Sequence, residues 1–317
     1  MIYKEKIVFE NVKDFKHVPI FECGQVFRWI PDTEYASATG CDAGTAYRGF
    51  AGRYAARVIY RSTTEPGETG SLDGADRGVL TIESSGGSEE FWYDYFDLGT
   101  DYGKIKRSLI ETEPKIEPAT EHGYGIRILN QDLFETIISF IISQNNNIPR
   151  IRKCIEALCE RYGEPITRDS GSTTATGAAG VSDSNGDRSR MLYAFPTPEA
   201  LASAKVEDIA ALKLGYRSSY IQKAAEEFIE WGRSESREEL LRMHGIGPKV
   251  ANCIMLFGLH DVAAFPIDTW VKHIMNDMYG FDENDVEGMQ RFADEKFGEY
   301  AGYAQQYLFF YYRDKKK

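Results

Sequence analysis

With 317 residues the chain is long enough for two or three compact units, each with its own core. Its 49 acidic and 37 basic residues give a formal net charge of −12, which excludes a protein that coats nucleic acid by bulk electrostatics and leaves only a local grip on a polyanion. The five cysteines are odd in number and form no Cys-x-x-Cys pair, so they suggest neither a disulfide framework nor a zinc site, and a reducing cytoplasm is the expected location.

The N-terminus lacks an apolar signal core, and the densest apolar run, Ile137 to Ile142, is too short to cross a bilayer, so a soluble protein is expected. Residues 1 to about 115 contain short β-prone runs such as Tyr54 to Tyr60 and Val79 to Ile82, broken by Gly, Ser, Thr, Asp and Glu, which predicts an antiparallel sheet with long loops. Part of the acidity sits between Arg61 and Glu90, where seven acidic residues meet two basic ones. From Asn130 the period becomes helical, with Ile148, Ile151, Ile155, Leu158 and Tyr162 at three- and four-residue steps, stopping at Gly163 and Pro165. Ile166 to Arg190 has no aromatic residue and no leucine and reads as a low-complexity insertion whose deletion leaves activity nearly intact. Helical patterning resumes over Pro198 to Leu212, Ser218 to Trp231, Arg237 to His244, Lys249 to Leu259, Thr269 to Tyr279 and Gly302 to Tyr312. The expected fold is therefore α+β: an N-terminal antiparallel β domain over 1–118, then an all-helical domain over 119–317.

Within the helical part, His244-Gly245-Ile246-Gly247-Pro248-Lys249 places two glycines between amphipathic segments. Glycine permits the positive φ of a tight hairpin, and proline suits the first turn of the helix that follows. Backbone amides at such a helix N-terminus favour a phosphate, a grip that needs few basic side chains. Taken alone, the pattern also suits an ordinary αα-hairpin. Lys249 falls in the first helical turn, where the positive end of the dipole disfavours an ammonium ion and so favours a nucleophilic amine. By itself it reads more often as a solvated surface lysine. Nineteen residues on, Asp268 stands where it caps the helix starting at Thr269.

This combination of hairpin, lysine and downstream aspartate resembles the helix-hairpin-helix superfamily of DNA glycosylases. Four further blocks narrow the resemblance to 8-oxoguanine DNA glycosylases: Cys23-Gly24-Gln25-Val26-Phe27-Arg28-Trp29, Ser143-Gln144-Asn145-Asn146-Asn147-Ile148-Pro149-Arg150, Leu214-Gly215-Tyr216-Arg217 and Gly302-Tyr303-Ala304-Gln305-Gln306-Tyr307-Leu308-Phe309. The resemblance implies a bifunctional glycosylase/AP lyase that removes 8-oxoguanine opposite cytosine. Lys249 would form a Schiff base with the damaged nucleotide, and Asp268 would stabilise the positively charged sugar. It assigns the Gly24 carbonyl to the N7–H that distinguishes 8-oxoguanine from guanine, Gln305 to the Watson–Crick edge, and Phe309 and Cys253 to the faces of the flipped base. Arg150 and Arg217 would read the orphaned cytosine, Asn145 would fill the vacated space with Tyr216 as a wedge beside it, and the amides around Gly245 and Gly247 would hold a phosphate.

The implied partner is duplex DNA containing 8-oxoguanine, bound by a monomer away from membranes and associated with the nucleoid in a bacterium. No catalytic metal or other cofactor is expected, although relatives place a monovalent cation on the hairpin carbonyls. Two positions depart from the pattern. His244 stands where proline is common, and Trp270 stands where many eukaryotic members carry a histidine that contacts phosphate. Cluster-dependent pyrimidine or adenine glycosylases of the superfamily carry four cysteines near the C-terminus, and no cysteine follows Cys253. Alkylbase glycosylases typically lack the lysine. A non-catalytic hairpin DNA-binding protein is the remaining alternative, and neither the Lys249 and Asp268 pair nor the pocket blocks serve such a role.

Overall fold

The computed structural model describes residues 3–42, 44–63, 77–166 and 191–315; the stretch read as an insertion, Ile166 excepted, and residues 64–76 of the acidic stretch lie outside them. Along Arg77–Ser84 every second residue is buried, the period of a strand with one covered face. That strand, β5, lies in an antiparallel sheet with β1 (Glu5–Lys13), β2 (Ile30–Pro31), β3 (Ala46–Ala51) and β4 (Tyr54–Ser62), in the order β1-β5-β4-β3-β2. Val58 faces Ile82 across β4 and β5, and Gly52, at φ 55°, closes the hairpin between β3 and β4. The expected antiparallel N-terminal sheet is therefore present. Its covered face is aromatic: the Phe21 and Trp29 rings stack 4.6 Å apart, and the Trp29 indole N–H donates to the Tyr95 hydroxyl at 2.9 Å.

The stretches around the sheet, expected as long loops, carry helices as well: α1 (His17–Glu22), α2 (Thr33–Thr39), α3 (Glu89–Tyr95), α4 (Tyr102–Thr112) and α5 (Glu117–His122). Side-chain caps explain two of them, because Ser88 accepts from the Phe91 amide and Asp101 from the Lys104 amide. The helical region continues with α6 (Leu133–Ser143), α7 (Ile148–Tyr162), α8 (Pro198–Ala202), α9 (Val206–Ile209), α10 (Arg217–Trp231), α11 (Arg237–Arg242), α12 (Pro248–Gly258), α13 (Thr269–Tyr279), α14 (Val286–Lys296) and α15 (Ala301–Lys315).

Two expectations are corrected. Pro198 to Leu212 is not one helix: α8 closes where the Ser203 amide and hydroxyl both donate to the Glu199 carbonyl, the hydroxyl at 2.8 Å, and the Ala204 amide reaches back only to the Leu201 carbonyl, and Lys213 at φ 66° and Gly215 at φ 59° turn the chain again before α10. The region is also not entirely helical, because β6 (Pro165–Ile166) pairs antiparallel with β7 (Leu192–Tyr193), so the flanks of the low-complexity stretch lie side by side.

Helix α6, buried over nearly its whole length, is the axis of the helical core. Phe140 on α6 stacks on Phe257 of α12 at 5.5 Å and 12°, and Gly258 lets α12 approach Thr136, since a Cβ there would sit 3.2 Å from the threonine side chain. The segment 23–29 runs between the two cores: Cys23 and Phe27 pack with the helices, while Val26 and Trp29 pack with the sheet. Gly24 is thereby held at the junction of the two regions.

Candidate active site

Gln25 anchors the Gly24 turn. Its buried side chain donates to the Ile20 and Arg127 carbonyls at 2.9 and 2.7 Å and accepts from the Leu129 amide at 2.9 Å, while Gln131 donates to its backbone carbonyl at 2.8 Å. Every hydrogen-bonding edge of that side chain is used, so the turn has little freedom. Gly24 itself adopts φ 88°, and a Cβ there would lie 3.6 Å from the Phe309 ring. Gly24 and Phe309, 285 positions apart, thus face each other. Gln305 lies one turn before Phe309 on the same face of α15; it is buried, and its carbonyl accepts from Gln306 Nε2 at 2.6 Å.

Lys249 and Cys253 are likewise one turn apart, on α12. Lys249 is half-buried with Nζ 5.5 Å from the centroid of the Phe140 ring. Phe140 in turn lies 5.7 Å from Phe27, three residues beyond Gly24. Burial pushes the Cys253 thiol above its ordinary pKa, against the opposing pull of the Lys249 charge. The side chain is therefore a neutral, compact wall. Asp268 caps α13, its Oδ1 accepting from the Val271 amide at 2.8 Å. Burial raises the Asp268 carboxyl above the usual carboxylate range, while the Val271 amide and then the charge of Lys249 pull it back. Lys249, Cys253 and Asp268 are thus one electrostatic cluster.

The hairpin is tied to this cluster by the chain itself and to its surroundings by two side chains. Gln144 donates to the Gly245 carbonyl at 2.8 Å. Glu227, buried on α10, accepts from the His244 amide at 2.8 Å and holds the His244 ring nitrogen Nδ1 with its other oxygen. A proline at 244 would have no amide to offer, so Glu227 gives the His244 departure a structural reason. Gly245 adopts φ 81° with its α-hydrogen pressed on Tyr220, where a Cβ would come within 2.7 Å of the ring. Gly247 needs no such freedom: it sits in extended backbone at φ −97° as the N-cap of α12, with open space around it.

The third group surrounds Asn145. Asn145 is exposed at φ 47°, with its amide 3.4 Å from the exposed Tyr216 hydroxyl. Arg217 is buried; it donates to the Gln144 carbonyl through Nε at 3.0 Å and through Nη2, and to the Asn145 carbonyl at 3.2 Å, with its guanidinium 4.5 Å from the Tyr216 ring centroid. Arg150 is exposed and donates to the Lys213 carbonyl at 3.3 Å. The guanidinium of Arg217 therefore shapes the Asn145 turn as well as standing beside it. Gln144 and Gln306, quoted above within longer blocks, and Glu227 are the residues to which the sequence reading gave no role. A sign was available for one of them, since Gln306 is a second consecutive polar residue in the apolar and aromatic run of α15.

The arrangement comprises a lysine, a half-buried carboxylate and a neutral thiol, a Gly24–Phe309 approach at a two-region junction, and an exposed face carrying Asn145 and Arg150. Residues 7–137 match the family model for the 8-oxoguanine DNA glycosylase N-terminal domain, and residues 138–299 match that of the HhH-GPD superfamily base excision DNA repair proteins. The chain belongs to the 8-oxoguanine DNA glycosylase family. Among solved members, it is 34% identical to MBOgg1, whose structure holds a low-affinity DNA ligand, with a TM-score of 0.78 and 99% of both chains covered. It is 33% identical to the Clostridium acetobutylicum 8-oxoguanine glycosylase/lyase in its apo form, with a TM-score of 0.76 and 98% of this chain and 100% of that one covered. Among curated relatives, it is 31% identical to the N-glycosylase/DNA lyase of Saccharomyces cerevisiae over 58% of this chain, and 33% identical to a probable N-glycosylase/DNA lyase of Methanothermobacter thermautotrophicus over 58%. The matched region spans 56% and 62% of those two relatives' own length.

Proposed function

We propose that this glycosylase-family chain excises 8-oxoguanine from duplex DNA, preferentially opposite cytosine, and then cleaves the strand as an AP lyase. The observation that carries the reading is the Lys249, Cys253 and Asp268 cluster in a chain that aligns end to end with a glycosylase/lyase. A Clostridium acetobutylicum relative, 32% identical, binds duplex DNA containing cytosine opposite 8-oxoguanine, which supports the same substrate here.

Lys249 Nζ, once it has lost a proton, forms a bond to the anomeric carbon as the glycosidic C–N bond breaks and its electron pair leaves with the base. The nitrogen now bound to the anomeric carbon gives a proton to the ring oxygen as the bond between that carbon and the ring oxygen opens to an iminium; loss of a C2′ proton then expels the 3′-phosphate and breaks the strand. The ionised Asp268 faces the positive charge that develops on the sugar. Gly24 offers its carbonyl to the N7–H of the lesion, Gln305 meets the Watson–Crick edge, and Phe309 and Cys253 lie against the two faces of the base. Asn145 enters the gap with Tyr216 beside it. The amides of the hairpin hold a phosphate without a basic cluster, which suits the acidic chain. The donors available to a cation there are neutral carbonyls. Those of Met243, Gly245 and Gly247 already accept from the Ile246 amide, Gln144 and the Ala251 amide, and each keeps a second lone pair. That set suits a singly charged ion with a structural part only.

The test is borohydride trapping on a duplex with 8-oxoguanine opposite cytosine. The unsubstituted protein should yield a covalent adduct and Lys249→Gln none. No adduct from the former, or equal trapping by the latter, removes the proposed nucleophile. Arg150 and Arg217 are assigned to the orphaned cytosine, so replacing either with alanine should narrow the preference for cytosine over adenine, each lost contact being worth about 1 to 3 kcal/mol. Discrimination unchanged in both variants takes them out of that role.

A further inference from the structure

Helix α15 carries two consecutive glutamines in a core setting, Gln305 4% and Gln306 3% exposed. Two neighbouring amides withdrawn from water demand partners, because an unpaired polar atom there costs free energy. Gln306 Nε2 supplies one by donating to Gln305 Oε1 at 2.6 Å, while Gln306 Oε1 is buried with no partner. Gln305 also shares its helix face with Phe309, which lies against Gly24.

We propose that Gln306 is a positioning residue that fixes which way the Gln305 amide faces, so that the pocket accepts a purine with a 6-keto group and disfavours one with a 6-amino group. The inference rests on the 8-oxoguanine reading above and adds to it the source of selectivity at the 6-position. 8-Oxoguanine offers an N1–H donor beside an O6 acceptor. 8-Oxoadenine keeps the N7–H and O8 but exchanges these two, offering an N1 acceptor beside an N6 amino donor. A primary amide can match either edge, and half a turn about its last bond exchanges one match for the other. In Gln305 that half turn brings its NH2 against the NH2 of Gln306, donor on donor. Turning both amides removes the clash but leaves the two hydrogens of the Gln306 NH2 where a lone carbonyl now lies bare. Unpaired buried N–H groups are the costlier defect. One orientation of the pair therefore prevails.

The experiment measures kcat/KM for excision of 8-oxoguanine and of 8-oxoadenine, each opposite cytosine, by the unsubstituted protein, Gln306→Glu and Gln306→Leu, on the alkaline side of neutrality where the introduced carboxylate is ionised. A carboxylate only accepts, so Gln305 must turn its NH2 toward it. The ratio of 8-oxoguanine to 8-oxoadenine excision should fall by about tenfold or more in Gln306→Glu, and by less in Gln306→Leu, where neither orientation is favoured. A general loosening of the helix lowers both rates and leaves this ratio alone. An unchanged ratio in Gln306→Glu, or equal shifts in both variants, overturns the proposal. If Gln306→Glu does not fold, an unchanged ratio in Gln306→Leu overturns it. Should the unsubstituted protein fail to excise 8-oxoguanine, the substrate reading itself falls. Excision with an unmoved ratio removes only the role of Gln306.

Discussion

Asp268 performs two tasks with one carboxylate, and its substitutions should separate them. As N-cap of α13 it needs only an acceptor for the Val271 amide, which asparagine also provides. As the proposed partner of the developing sugar cation it needs a charge. Asp268→Asn should therefore keep the thermal stability of the parent while excision falls steeply, whereas Asp268→Ala should lose the cap as well, at a cost of about 1 kcal/mol. Burial raises the carboxyl above the ordinary carboxylate range, so protonation removes the needed charge at a higher pH than for an exposed aspartate. Single-turnover excision should show an acid limb that begins above the ordinary aspartate pKa of about 3.9, and the residual rate of Asp268→Asn should lack it. A limb at the ordinary value, or one retained by the asparagine variant, removes Asp268 from the charge-stabilising role. At this scale the sequence showed the residue types and their spacing. The burial that changes the carboxyl, and the Cys253 thiol beside it, comes from packing against elements far along the chain and has no local sign.

At the scale of elements, the hairpin shows what was legible and what was not. Two glycines bracketing Ile246 announced a tight turn, yet only Gly245 uses the left-handed region. Gly245→Ala meets both positive φ and the Tyr220 ring within 2.7 Å and should cost about 1 to 3 kcal/mol of stability together with much of the DNA affinity. Gly247→Ala, in extended backbone with open space beyond, should leave the melting temperature within a degree or two of the parent's. Equal destabilisation by the two, read by thermal unfolding, would show that the turn does not depend on the Gly245 conformation. Amphipathic helices such as α7 and α10 were readable because their apolar residues repeat at three and four. The break between α8 and α9 was not, since Ser203 has an acceptable helix propensity and nothing in the run announces that the Ala204 amide tightens onto the Leu201 carbonyl. The helix α3 was hidden for want of length, seven residues set by the Ser88 cap, whereas α4 carries a periodic face through Tyr102, Ile105 and Leu109 that the reading of the region as sheet and loops left unused.

The whole molecule is acidic, so its stability and its DNA grip respond to pH through different groups. Two buried residues outside the proposed site contribute opposing slopes to the stability profile. Burial holds His17 neutral, its pKa lowered to about 3, with its ring stacked 5.6 Å from Tyr47. Burial also raises the Glu135 carboxyl to about 7, with Arg28 opposing. For His17 the unfolded chain binds more protons than the folded one between its ordinary pKa of about 6.5 and about 3, so acidification through that window destabilises the fold. For Glu135 the folded chain holds the extra proton between the ordinary value of about 4.3 and about 7, so stability falls as pH rises through that window and the loss is complete above it. The two slopes oppose each other over the range they share, which predicts a shallow maximum in mildly acidic solution. Glu135→Gln removes the second slope alone: urea unfolding of this variant should give a stability that rises between about pH 5 and 6.5, where the opposing slopes leave the parent nearly level, and a gain over the parent that is larger at pH 8 than at pH 5. A parallel offset at all pH values would mean that the Glu135 carboxyl is ionised throughout the range, and the declining limb of the parent would then belong to another group.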